Sequence, residues 1–186
     1  ANYLESVGSE TGETVALYMP MVPEVISIFY GCFKVGAIAV PIFSGFGVEA
    51  TATRIEDAEP EVLFTGDGFY RRGSAISLKG TADEAIAEAG NVEHTVVYDR
   101  VGAETGEVEV PWHDERDEWW DEAVETQASE YDTKSLPADQ ESMLLYSSGT
   151  TGEPKGIVHT HAGVLAQCAK EIHFGFDQKP GDRFFW

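Results

Sequence analysis

Short apolar, strand-like runs alternate with segments of helical spacing along most of this chain, and that order restricts the fold more than any other feature. Residues 15–19 (VALYM) are apolar and are closed by Pro20. Pro23 suits the first turn of a helix, where its missing N–H costs nothing. Ile26, Phe29, Tyr30 and Phe33 recur at helical spacing and predict one apolar face, with Gly36 as the stop. Residues 37–43 predict a strand with Pro41 near an edge or bend, and Ser44-Gly45-Phe46-Gly47 a turn. A helix over Val48–Ala58, a strand over 62–65, a helix over 82–89 capped by Thr81 or Asp83, and a strand over His94–Tyr98 follow. Turn residues fill 100–111. Residues 114–127 predict an acidic helix carrying Trp119 and Trp120, and 130–139 a polar connector. Strands at 143–146 and 156–159, a helix at 162–172 and a last strand after Pro180-Gly181-Asp182 complete the series. Strands alternating with helices make an α/β fold: a mostly parallel sheet flanked by helices.

Charge narrows the partners. With 33 acidic against 12 basic residues the formal net charge is −21, which opposes binding to nucleic acid or to an anionic membrane. The acids are dispersed rather than blocked into a tail, as on a protein kept soluble in high salt, so a halophilic source is expected. No run approaches the ~20 apolar residues of a membrane span, and no segment reads as a secretory signal; a cytoplasmic location is expected. Cys32 and Cys168 sit in helix-like patterns and predict buried free thiols. The chain starts without Met and stops on the strand-like run Arg183-Phe184-Phe185-Trp186. Residues 1–186 therefore read as a single partial domain, truncated at both ends. Nothing in the pattern specifies an oligomeric state.

The chemistry concentrates in one loop. Ser147, Ser148, Gly149, Thr150, Thr151 and Gly152 put four hydroxyls and two glycines into six residues, between an apolar strand and Pro154-Lys155-Gly156. Glycines let backbone N–H groups close on an anion. Hydroxyls rotate to meet phosphate oxygens, and Lys155 adds a point charge. The loop is not a Walker A motif. Pro154 removes a backbone N–H, and Gly156 stands where Ser or Thr is required. His159 and His161 lie two apart with no third ligand spaced nearby, so no protein-held metal is expected. Trp119-Trp120, set among acids, reads as packing rather than a base-stacking platform.

The run YSSGTTGEPKG, residues 146–156, resembles the signature of the adenylate-forming superfamily at every defining position. Residues 15–45, together with the segments GFYRRGSAISLK and DEWWDEAVE, are similar to the acetyl-CoA synthetase branch. The resemblance implies part of the large N-terminal domain of an acyl-CoA synthetase. Such enzymes join a carboxylic acid to ATP, release pyrophosphate, and pass the acyl group to coenzyme A. Carried over, Ser147, Ser148, Gly149, Thr150, Thr151, Gly152 and Lys155 would hold ATP phosphates, with Mg²⁺ bridging phosphate oxygens. Phe43, Gly45 and Arg71 would contact coenzyme A. The chain departs from the branch at Ser44, where Gly is frequent, and at Ser74, where an Arg is expected; Arg72 lies close by. The family's remaining functional residues would follow Trp186, so no catalytic residue is expected within this stretch. Acetate or another short acid is the expected substrate, and the segment alone is expected to be inactive. The alternative is a non-catalytic nucleotide-binding or interaction module that keeps only the loop.

Overall fold

The computed structural model describes residues 1–147 and 154–185. Its helices are α1 (Asn2–Ser6), α2 (Glu24–Val35), α3 (Val48–Ala58), α4 (Lys79–Ala89) and α5 (His161–Lys170). Its strands are β1 (Thr14–Tyr18), β2 (Ile38–Pro41), β3 (Val62–Gly66), β4 (Gly68–Arg71), β5 (Ser74–Ser77), β6 (His94–Tyr98), β7 (Asp117–Trp119), β8 (Glu141–Ser147) and β9 (Lys155–Thr160). A seven-stranded sheet runs in the order β7-β6-β3-β1-β2-β8-β9, and β4 and β5 form a separate hairpin. Every pairing in the large sheet is parallel except β8 with β9.

Helices cover both faces of the central strands, which is why those strands are apolar throughout rather than alternating. Val15 and Leu17 of β1 point into one cluster with Phe64, Val96 and the α2 residues Ile28, Cys32 and Val35. Ala16 and Tyr18, one residue out of phase, point the other way and pack with Leu63, Ile55 of α3, and Ala82 and Ile86 of α4. The period of two along β1 thus feeds two cores.

Several elements differ from the sequence expectation. The buried stripe of α2 is Ile28, Gly31, Cys32 and Val35, whereas Ile26 and Tyr30 are exposed. Gly31 packs 3.1 Å from the Ala1 backbone at its ideal Cβ, so the tight face carries glycine and cysteine rather than the large rings. Gly36 does end α2, with φ +83°. Pro41 lies not at a sheet edge but at the end of β2, between β1 and β8; the ladder continues past it through Ile42 N–H to the Leu17 carbonyl at 2.9 Å. α4 begins at Lys79, upstream of Thr81 and Asp83. Its entry is served by the Ser77 hydroxyl, which accepts from Gly80 N–H at 3.1 Å. The acidic segment 114–127 is not one helix. It gives strand β7 and a π-helical turn over Asp121–Glu125. No strand forms over 183–185, and Cys168 is exposed while Cys32 is buried.

Candidate functional site

Parallel strands end together. β1, β2, β3 and β6 finish at Tyr18, Pro41, Gly66 and Tyr98 on one edge, and β8, parallel to β2 through Ala39–Met143, finishes there at Ser147. The crevice beyond the carboxyl ends of such strands is where α/β sheets bind ligands. Among the connections at that edge are residues 43–47 after β2, the hairpin β4–β5 after β3, and the one that follows β8.

Of the phosphate-loop residues expected from the sequence, Ser148, Gly149, Thr150, Thr151 and Gly152 lie outside the described residues. Ser147 and Lys155 are described, and they face each other as a pair in the antiparallel β8–β9 ladder. The ladder keeps one register from Ser147–Lys155 back to Met143–His159 and shifts before Glu141–Thr160, so both ends of the connection are held by the same run of pairs. Lys155 is exposed.

The base of that ladder is tied to α3. The Tyr146 hydroxyl donates to Asp57 Oδ2 at 2.6 Å, and burial and this carboxylate both push the phenol's pKa up. Gly156 packs beside this pair, and a Cβ there would stand 2.9 Å from Leu144 Cδ1. Arg54, one helical turn before Asp57, places its guanidinium 4.4 Å from the Phe46 ring centroid and 5.5 Å from that of Tyr146.

Residues 43–47 form a closed turn in which Phe46 N–H donates to the Phe43 carbonyl at 2.9 Å. The Tyr18 hydroxyl donates to the Phe46 carbonyl at 2.6 Å and fixes the turn to β1. Phe43 is 65% exposed and meets Phe46 edge-on at 5.4 Å, so its ring is offered to solvent rather than spent on the core. Gly45 lies under that ring: a Cβ would come within 2.4 Å of Phe43 Cε1. Arg71 ends β4 opposite Ser74 and is exposed. The two residues between them, Arg72 (φ +53°) and Gly73 (φ +83°), make the positive-φ turn that twists a two-residue hairpin correctly. Phe69 of β4 and Phe46 pack on the same buried cluster, so the hairpin and the 43–47 turn share one floor.

The profile of the AMP-binding enzyme family matches residues 1–186. The chain belongs to the AMP-binding enzyme family. It is 44% identical over its whole length to the acetyl-coenzyme A synthetase of Streptomyces coelicolor, covering 28% of that protein. It is equally 44% identical to the acetyl-coenzyme A synthetase of Methanothrix thermoacetophila, covering 27% of it. Among solved structures, the acetoacetyl-CoA synthetase of Streptomyces lividans superposes with a TM-score of 0.85 at 30% identity, over 98% of this chain and 27% of that one. The chain therefore spans little more than a quarter of these relatives' length, and the mostly parallel, helix-flanked sheet is shared with the solved synthetase.

In this member of the AMP-binding enzyme family two buried polar centres, neither legible in the sequence, hold the hairpin side of the edge. Asp67, fully buried between β3 and β4, accepts from the backbone N–H groups of Gly68 (2.6 Å), Arg100 (2.9 Å), Val101 (3.1 Å) and Gly102 (3.0 Å). Lys79, also fully buried, reaches Asp83 at 2.6 Å, Asp117 at 2.7 Å and the Pro111 carbonyl at 3.0 Å. Arg116 joins both carboxylates. Burial pushes the Asp117 carboxyl up, but the hydrogen bonds from Arg116 and Lys79 outweigh it, and its pKa is lowered. Among the described residues no group of three or more His, Cys, Asp or Glu side chains is arranged to hold a metal ion.

Proposed function

We propose that this chain is the phosphate-binding segment of an ATP-dependent acyl-CoA synthetase whose acid is acetate or another short-chain carboxylate. It forms one partial domain of the enzyme. No helix among the described residues is long and apolar enough to cross a membrane, and the enzyme is assigned to the cytoplasm. The observation that carries the reading is the register of β8 and β9, which brings Ser147 and Lys155 together at the carboxyl edge of the sheet, in a chain of the AMP-binding enzyme family.

In the first step the carboxylate displaces pyrophosphate from the α-phosphorus of ATP and forms an acyl-adenylate; in the second the thiol of coenzyme A displaces AMP. Ser147, Ser148, Gly149, Thr150, Thr151 and Gly152 hold the β- and γ-phosphates. Lys155 neutralises charge that accumulates on departing pyrophosphate, a form of catalysis by fixed positive charge. Mg²⁺ arrives with ATP on its phosphate oxygens. Phe43 and Gly45 receive the nucleotide part of coenzyme A, and Arg71 pairs with one of its phosphates. The exposed Phe43 ring and exposed Arg71 guanidinium suit an aromatic base and an anion.

The test is steady-state turnover by the full-length protein with acetate, ATP, Mg²⁺ and coenzyme A, reading AMP and thioester. Stoichiometric AMP and acetyl-CoA are expected, with no turnover from residues 1–186 alone. ATP binding without AMP release would instead support the non-catalytic module.

A further inference from the structure

Arg54 of α3 is only 8% exposed. Its Nη1 donates to the Ala50 carbonyl one turn back, and among the described residues no carboxylate lies within ion-pair distance of it. Burial lowers its pKa, with Tyr146 alone opposing the shift. A leucine or methionine would fill the same volume without that desolvation cost. What the guanidinium does that an aliphatic chain cannot is present a flat cation to two rings at once, Phe46 at 4.4 Å and Tyr146 at 5.5 Å.

Those rings belong to different connections. Phe46 lies in the 43–47 turn, pinned by Tyr18 and touching Phe43 edge-on. Tyr146 is the residue before Ser147, pinned by Asp57 from the same helix as Arg54. Side chains thus run without a break from Phe43 through Phe46, Arg54 and Tyr146 to Asp57. We propose that Arg54 is a positioning residue that ties the 43–47 turn to the strand entering the phosphate loop, so that the two ligand-carrying connections keep one relative position. Its consequence for the two substrates rests on the synthetase reading; the mechanical link does not. Since the two connections are read as holding one substrate each, a fixed offset between them keeps both binding surfaces in place together.

The test uses the full-length protein with Arg54→Met, Arg54→Lys and Phe46→Leu. Hydrogen exchange is measured first without ligand. Arg54→Met is expected to speed exchange about tenfold at both 42–50 and 143–147, while α4 amides stay unchanged. Arg54→Lys keeps the charge but not the planar stack, and gives a smaller rise at the same two places. Phe46→Leu removes a ring from one connection only, and is expected to raise exchange at 143–147 as well. In turnover assays Arg54→Met raises KM for ATP and for coenzyme A together, each about tenfold, with kcat changed less. Unchanged exchange at either connection, a rise spread evenly through the domain, or a Phe46→Leu effect confined to 42–50 overturns the link. So does a loss of active enzyme with both KM values unaltered. A wild-type protein without turnover refutes the synthetase reading alone, and the exchange arm still decides the role of Arg54.

Discussion

Replacing Lys79 by Met tests how the buried charge cluster holds the hairpin side of the site. The ammonium is fully buried and has three partners: Asp83 at 2.6 Å, Asp117 at 2.7 Å and the Pro111 carbonyl at 3.0 Å. Methionine fills the space without a charge. Removing one partner of a buried ion pair costs about 3–5 kcal/mol, because the other charge is left uncompensated. Here Arg116 remains on both carboxylates, donating to Asp117 through Nε at 2.8 Å, so the lower end, about 3 kcal/mol, is expected. For a domain of this size that is a fall in Tm of about 6–12 °C. Trp112 and Trp119 stack at 4.6 Å close to Asp117, so tryptophan emission during thermal or urea unfolding includes a signal from this region. The acid limb carries the sign. The pKa of Asp117 is lowered in the fold, so its stabilisation is complete above the unfolded carboxylate value near 3.8 and is lost as pH falls through the lower folded value. Without Lys79 one of the lowering hydrogen bonds is gone, so the window between the unfolded and folded values narrows and less stability is lost across it. A variant within about 1 kcal/mol of wild type, with an unmoved acid limb, would falsify the view that Lys79 balances these carboxylates.

Gly45→Ala drives a methyl group into the Phe43 ring, 2.4 Å away at the ideal Cβ. It is expected to raise KM for coenzyme A several-fold in steady-state assays and leave pyrophosphate exchange unchanged. Arg71→Gln removes an exposed cation; KM for coenzyme A should rise about tenfold, the loss of one charge-assisted pair, and the difference should shrink as salt rises. Lys155→Met should slow adenylation by about 10²-fold in a single-turnover assay, the scale of one lost charge contact in the transition state. With a net charge of −21, the domain should melt several degrees higher in molar KCl than in dilute buffer, since salt screens its self-repulsion.

The parts of this fold that were legible are those where local pattern and tertiary environment agree. Val48–Ala58 and His94–Tyr98 have an unambiguous period and clear stops, and they fall where expected. The segment 114–127 misleads because its acids look solvent-facing. Asp117 is in fact drawn inside by Lys79 and Arg116, and Trp119 pairs with Val97 at the sheet edge. Lys79 itself sits where a polar residue before a helix reads as a solvated loop. The hairpin β4–β5 escapes because its turn is Arg72-Gly73 rather than Asn-Gly, and both strands are half exposed. The antiparallel turn-back of β9 is equally invisible, since a strand–loop–strand run does not state its direction. The family was legible in the run 146–156, whereas Arg54, Asp57 and Asp67 act through neighbours distant in sequence or across an element, and no local signal marks them.

Acetate-dependent exchange of labelled pyrophosphate into ATP isolates the step assigned to the loop, because it needs neither coenzyme A nor thioester release. The full-length protein should catalyse it with Mg²⁺ present. Thr150→Ala combined with Thr151→Ala should reduce it by at least about tenfold, the equivalent of one hydrogen bond to a charged phosphate, at unchanged Tm. Exchange at the wild-type rate in that double variant would contradict the assignment of residues 147–152 and Lys155 to the phosphates of ATP.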